Sequence, residues 1–542
     1  MKADVPSRLK TSLASALNIR TGEERLVLLP VLLFFLKGIC DVFYATSAGT
    51  LFLKEFGNVS LPKVYILSAG LVTIFGLAYS FLSTRISVLA LLRITVVFSV
   101  LTIGMFHFAL TWLGSRWWAM GLMVWREVPY MLLNVVFWAQ AGLLFNVRQS
   151  KRVFPLIAAG DIASAAIGGI AIPFIVAWIG PLHLLFFAEI SIALCLVVSI
   201  YLGRLSDSHG VQMQEDLAAA PLPLSKLVQD RYVALFMGMS VVSFVIYFFA
   251  DYNFYDVVNG RYQKAEALAA FLGIFYAVLN GFNLVLNGAI AGRVLKRFGT
   301  YTGLLVLPVC VGIATVAALV LSGFGISAAI FWAIIGTKLV DEMLRGAFLI
   351  PTFKILFQPL PDRERLRVQS VRDSVVEPAA IGFSGLLLLL LTLNGFQRIQ
   401  LLWVLLGLLV VFVVMSVFLR GQYIVVLNRA LLGWKDAPEP RSLSGNVDTL
   451  KRALESLNPD EAIDSFLAIK HADPTAAKLL LPQILKHPLA EVRLHGLRQI
   501  QESRETRATG LVRSLLDIEE SPAVKSEALR TLSLLSGENT PD

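Results

Sequence analysis

The sequence predicts an all-α polytopic membrane protein with twelve transmembrane helices in two groups of six, followed by a soluble helical domain. Three observations carry this expectation. The 542 residues are 56% hydrophobic and only 16% charged, with mean hydropathy +0.71, a composition whose folded surface is too apolar for water. Long apolar stretches fill residues 25 to 419, and a bilayer asks for about 20 such residues per spanning helix. The ionisable residues inside those stretches cluster on the first, fourth, seventh and tenth. A charge facing lipid costs at least a few kcal/mol, so these residues face protein or a water-filled cavity.

The elements follow in order. Residues 1–24 form a polar cytoplasmic segment. No small-residue cleavage site ends the first apolar run, which is read as a retained helix and not a signal peptide. Spans are predicted at 25–48, 62–83, 86–113, 117–145, 154–179 and 182–202, making an N-terminal bundle over 25–202. Residues 203–231, polar and containing Pro221 and Pro223, are a cytoplasmic loop between bundles. The second bundle, 232–420, holds spans at 232–256, 266–291, 302–322, 326–352, 369–393 and 398–419. Residues 421–446 read as an amphipathic segment along the membrane and a linker with Pro438, Pro440 and Gly445. From 447 to 537 the composition becomes that of a soluble helical domain. Lys486-His487-Pro488 and Ser521-Pro522 mark recurring turns ahead of apolar runs, a pattern that resembles degenerate HEAT repeats.

Orientation follows from the loops. Roughly 23 Lys and Arg residues fall on one side against about 6 on the other, which places both termini in the cytoplasm and the protein in the cell's inner (plasma) membrane. These loops account for the net charge of +9, so no nucleic-acid partner is implied. Cys40, Cys195 and Cys310 all lie in apolar spans, and the His residues are scattered. There is no disulfide framework, zinc spacing, P-loop or dinucleotide fingerprint, so neither a cofactor nor a built-in ATPase is expected. No nucleophile with a positioned base appears, and an enzyme is not expected.

The intramembrane polar residues form helical stripes. Lys37, Asp41 and Tyr44 are spaced i, i+4, i+7 on the first helix. Arg126, Glu127, Tyr130 and Asn134 stand on the fourth, and Tyr247, Asp251 and Tyr255 on the seventh. Tyr276, Asn280, Asn283 and Asn287 line one side of the eighth. The tenth carries Lys338, Asp341, Glu342 and Arg345, one turn apart, a set that also suits a structural ion-pair lock. Arg372, Asp373 and Glu377 open the eleventh helix near the cytoplasmic surface, where an ion-pair gate is expected. Gly160, Ser164 and Gly168 make a small-residue stripe for close helix packing. The third, sixth, ninth and twelfth helices are nearly free of charge and are predicted to face lipid.

Six plus six helices with charges on the first, fourth, seventh and tenth resemble the major facilitator superfamily. The segment GAIAGRVLKR at 288–297 is similar to a remnant of its loop signature. FNVRQSKRVFPLIAAGDIASAAIGG at 145–169 and AEALAAFLGIFYAVLNGFNLVLNGAIAGRVLKRFG at 265–299 resemble the ATP/ADP translocase family and its bacterial branch fused to HEAT repeats. Lys37 and Asp41 match outer positions of that family's charged run in the first helix, while Cys40 stands where the family has a lysine. The resemblance implies a secondary transporter of an anionic metabolite, with a nucleotide as the leading candidate. Lys37, Arg126, Lys338 and Arg345 would attract the anion. Tyr44, Tyr130, Tyr255, Asn280 and Asn283 would hydrogen-bond or stack, and Asp41, Glu127, Asp251 or Glu342 would exchange protons or ion pairs. Two other readings are open: a transporter or flippase of an amphipathic anion such as a phospholipid, and a non-transporting scaffold that recruits a cytoplasmic protein through residues 447–537. In each, membrane lipids are partners.

Overall fold

The computed structural model describes residues 24–433, apart from 146, 209–229, 326 and 361, and residues 474–536, apart from 504–507, with a few positions ahead of them. Most of the inter-bundle loop, the linker and the first part of the repeat region lie outside the described residues. The chain divides into two compact units, Met1–Ala430 and Leu431–Asp542.

In the first unit the described residues are helical from end to end. The helices are α1 (Glu24–Phe56), α2 (Leu61–Ser83), α3 (Val88–Trp112), α4 (Trp117–Trp125 continuing as Glu127–Leu144), α5 (Val147–Ile179) and α6 (Leu184–Ser208). After the inter-bundle loop come α7 (Arg231–Arg261), α8 (Ala265–Val285), α9 (Ala291–Gly323), α10 (Ser327–Leu344 with Ile350–Leu356), α11 (Asp362–Val371 with Glu377–Leu393) and α12 (Arg398–Gly433). Lipid offers backbone groups no partner, so each spanning segment satisfies them internally. Several buried hydroxyls are satisfied the same way, though Thr46, Ser47, Thr50 and Thr352 have no partner among the described residues. Ser99 donates to the Thr95 carbonyl at 2.8 Å, Thr315 to Val311 at 2.8 Å and Ser384 to Ala380 at 2.6 Å, each within its own helix. Gly57 and Gly180 close α1 and α5 at φ 68° and 80°, a left-handed conformation that favours glycine.

Ten of these helices are long and apolar enough to cross a membrane. The two others in the predicted twelve, α4 and α10, are helical where expected but hold the charged clusters. α4 is interrupted at Arg126 because Pro129 has no N–H to give the Trp125 carbonyl. Three π turns, Leu286–Ile290, Arg345–Leu349 and Arg372–Val376, sit where α8 passes into α9, within α10 and within α11. Two expectations change. Residues 292–297, predicted as loop beyond the eighth span, are helical, and that loop departs from helical geometry only at Gly299 (φ 79°). Residues 421–432 continue α12 without a break, because their apolar run extends the same helix.

Apolar side chains are exposed on the four helices predicted to face lipid, and equally on α2 (Ile74, Leu77) and α5 (Ile170, Phe174). Leu101 and Phe108 on α3, Val197 on α6, Ile313 and Val320 on α9 and Val410 and Phe418 on α12 are all exposed. Trp112, Trp117, Trp178, Trp332 and Trp403, also exposed, stand at the helix ends nearest residues 57–60, as an interfacial aromatic belt does.

In the second unit, α13 (Pro474–Leu485) pairs with α14 (Ala490–Ser503), and α15 (Thr509–Ile518) with α16 (Pro522–Ser536). α14 packs on α16 and α13 on α15, the stacking of a helical repeat. Its core contains Ile484, Val492, Leu497, Val512 and Val524. Gly496 lets α14 approach α13, since a Cβ there would meet Ile484 at 2.7 Å.

Candidate substrate cavity

A cavity of about 340 Å³ lies between the two halves of the membrane unit, a size that holds a metabolite. Its walls come from α1, α2, α4 and α5 of the first half and α7, α8, α10 and α11 of the second. Of the residues singled out in the sequence, Lys37, Asp41, Arg126, Glu127, Asp251 and Glu342 line it. So do Tyr44, Tyr130, Tyr255, Asn280 and Asn283.

Two ion-pair triads give the wall its charge. In the first, Lys37 reaches Asp41 on its own helix at 2.7 Å and Asp161 of α5 at 3.4 Å. α5 comes this close because residue 38 is glycine. A Cβ at Gly38 would lie 2.1 Å from Ser164 Oγ and 2.5 Å from the Asp161 carbonyl oxygen. The predicted small-residue stripe makes the same contact along α5, with a Cβ at Gly160 falling 3.2 Å from Val31 and one at Gly168 falling 2.7 Å from Val42. In the second triad, Lys338 reaches Glu342 one turn along α10 at 2.9 Å and Asp251 of α7 at 2.7 Å, with its ammonium 3.8 Å from the centre of the Tyr247 ring. Between the triads stands the ion pair of Arg126 with Glu127.

Burial separates the members of these triads. The side chains of Lys37 and Lys338 are 1% and 2% exposed, whereas their partners Asp41, Asp161, Asp251 and Glu342 are 23%, 30%, 12% and 19% exposed. The lysines therefore stand behind their carboxylates, and the cavity surface presents oxygen. Three expected binding residues of α10 lie outside the lining for the same reason. Lys338 is covered by Asp251 and Glu342. Asp341 is fully buried and pairs with Arg345 at 2.8 Å, and Arg345 donates to Ser243 Oγ of α7 at 2.6 Å. These contacts tie α10 to α7, the role of a lock. Asn134 is half-buried and outside the lining, donating to the Tyr130 carbonyl at 3.0 Å.

Sequence spacing missed Asp161 and Tyr65, which complete the wall with Tyr247 and Tyr276 of the predicted stripes. Asp161 had a signal, a single carboxylate inside the fifth apolar run. Tyr65 of α2 donates to Asp251 Oδ2 at 2.7 Å, a hydrogen bond from one half to the other.

The expected gate residues do not bridge the halves. Arg372 pairs with its neighbour Asp373 at 2.8 Å and lies 5.3 Å from the Phe353 ring centre. Among the described residues no ion pair from Arg372, Asp373 or Glu377 reaches the first half. The polar links between halves gather at the other end. Lys54 donates to Asn259 Oδ1 at 3.1 Å and to the Tyr262 carbonyl, and Asn58 donates to Asp256 at 2.7 Å, whose other oxygen holds Arg398. Toward the same end a Cβ at Gly169 would lie 2.6 Å from the Gly273 carbonyl oxygen, and one at Gly385 2.7 Å from that of Pro62. Away from this seal, Tyr130 and Phe282 are exposed.

No protein-family profile matches the chain, and no curated protein matches it. Solved structures do. A point mutant of the nucleoside transporter NupG is similar with TM-score 0.54 at 12% identity, over 74% of this chain and 99% of that one. A POT family transporter in complex with 5-aminolevulinic acid gives TM-score 0.54 at 12% identity, over 73% and 96%. A bacterial homologue of the iron transporter ferroportin in an inward-facing state gives 0.55 at 14%, over 73% and 98%. At such identities the likeness is one of fold: the chain is a multi-pass membrane protein with the fold of major facilitator-type transporters.

Proposed function

We propose that the protein is a secondary transporter that moves a small polar solute through the cavity by alternating access. The observation that carries this reading is the charged cavity between two six-helix halves, sealed by polar links and glycine crossings toward one end. Such a site, at the interface of two bundles that rock against each other, is the working part of a secondary transporter. The neighbours of this fold are transporters and not enzymes. The basic loops and the tryptophan belt support twelve spans with both termini in the cytoplasm of a cell with this inner membrane, so that the cavity opens inward.

The resemblance to ATP/ADP translocases favours an anion, and a phospholipid head group would use the same chemistry. With Lys37 and Lys338 buried behind carboxylates, an anion would rest on Arg126, itself paired with Glu127. The stacked helix pairs of the second unit support a HEAT-like module that recruits a protein partner. Exchange of labelled solutes into proteoliposomes tests the transport reading. The panel should include nucleosides, nucleotides, amino acids, peptides, amines and lipid head groups. Saturable exchange of at least one, lost in the Arg126→Ala/Asp161→Ala variant, is expected. No exchange by protein that inserts normally sinks the reading.

A further inference from the structure

The cavity wall carries five carboxylates, Asp41, Glu127, Asp161, Asp251 and Glu342, against two cations, Lys37 and Arg126, or three with Lys338 behind it. Each lysine is shared by two carboxylates, so each triad keeps a negative charge with both lysines protonated. The lysines are buried and the carboxylates are the accessible members. An anion approaching this wall meets these carboxylates and a single accessible cation, Arg126, which is already paired with Glu127. A cation meets opposite charge.

A second feature of the wall points the same way. Six tyrosines line the cavity. Ring faces attract cations by about 0.5 to 2 kcal/mol, more when water is excluded, and two of these rings already hold protein cations. Lys338 lies 3.8 Å from the centre of the Tyr247 ring, and Lys37 lies 5.5 Å from that of Tyr130. Tyr130 is half exposed, with its other surface free for a ligand. The wall thus offers acceptors and aromatic faces in excess of donors. Among the described residues no three acidic, His or Cys side chains converge as metal ligands, which favours a diffuse organic charge over a metal ion.

We propose that the cavity takes an organic cation, a solute bearing an ammonium or guanidinium group, held between Asp161, Glu127 and the ring of Tyr130. Asp161 is the anchor because its pair with Lys37 is the longer of the two, 3.4 Å against 2.7 Å, and 30% of its side chain is exposed. The proposal rests on the transport reading above and names the class of solute for the same site.

The test uses the full-length protein in detergent and in liposomes. Probes are choline, agmatine and putrescine as cations, the uncharged carbon isostere of choline, and ATP and citrate as anions. Saturable binding of at least one cation is expected, with choline bound at least tenfold more tightly than its isostere if choline is that cation. Asp161→Asn and Glu127→Gln should each weaken cation binding about tenfold, and Asp161→Glu should restore most of the loss at the first position. Recovery by the charge-retaining variant separates lost recognition from lost folding. Preference for ATP or citrate over every cation overturns the proposal and leaves the transport reading standing, as does cation binding that neither neutral variant weakens. Absence of exchange for every class removes both.

Discussion

Replacing Lys338 by Met tests whether the second triad is held together by its lysine. The substitution keeps most of the stem's volume and removes the ammonium. Asp251 and Glu342, now 2.7 and 2.9 Å from that charge, would be left facing each other without a cation. Removing one partner from a buried pair costs about 3 to 5 kcal/mol, mostly through the stranded charge. Two features place the cost near the lower figure. Asp251 keeps the hydroxyl of Tyr65 at 2.7 Å, and the two carboxylate side chains retain 12% and 19% exposure. We therefore expect a loss of about 3 kcal/mol in unfolding free energy. Lys338→Met/Asp251→Asn removes one of the two stranded charges and should recover about 2 kcal/mol of it, a coupling that independent sites do not show. Chemical unfolding in mixed micelles, run as a full double-mutant cycle, measures both quantities. A Lys338→Met variant within about 0.5 kcal/mol of the parent, with no coupling to Asp251, refutes the argument.

Three further outcomes follow from other parts of the molecule. Gly169→Leu puts a side chain against the backbone of Gly273 and Ala277, where a Cβ already falls at 2.6 and 2.8 Å; solute exchange should drop more than tenfold in protein that still inserts, and normal exchange would show that the crossing need not close. Lys54→Met/Asn58→Ala removes polar links worth together about 1 to 3 kcal/mol, so labelling of a Ser68→Cys cavity probe from the sealed side should rise about fivefold or more, and unchanged labelling would mean the seal lies elsewhere. In the second unit, Arg493 holds the Glu519 carboxyl below the usual glutamate range through a two-armed hydrogen bond at 2.7 Å on each arm. A lowered folded-state value stabilises above the ordinary glutamate range and is lost as pH falls through the lowered value. Hydrogen-exchange protection in 490–503 and 522–536, taken relative to the intrinsic rate at each pH, should therefore fall on acidification, and Glu519→Gln should lower it already at neutral pH and flatten its dependence on acid.

Much of the membrane unit was legible because lipid imposes one rule on every span. Apolar length gave the helices, and charge on the first, fourth, seventh and tenth gave half of the cavity-facing set, which also includes α2, α5, α8 and α11. Pairs within a helix were legible too: Lys37 with Asp41, Lys338 with Glu342 and Asp341 with Arg345 are each one turn apart and each form an ion pair. Partners across helices were not. That Asp161 shares Lys37, or that Tyr65 and Lys338 share Asp251, depends on how far each helix is rotated and how closely Gly38 lets α5 approach. The same unknown decided whether a lysine would face the solute or stand behind an acid. Spacing places a side chain on a face, and only the neighbouring helix determines what covers it.

The π turns make the two halves mechanically unequal. All three among the described residues belong to the second half, at Leu286–Ile290, Arg345–Leu349 and Arg372–Val376. A π turn stores one surplus residue in an otherwise regular helix, and absorbing it turns the adjoining segment by about 100°. Arg345 and Arg372 each begin such a turn. A shift of the surplus residue along α10 or α11 would re-aim these guanidinium groups by rotation within a single rod, breaking no helix. The first half has no such slack among its described residues. Its break lies instead at Arg126 of α4, beside the Glu127 carboxylate, so the first half adjusts by bending at one point while the second re-aims its arginines by rotation.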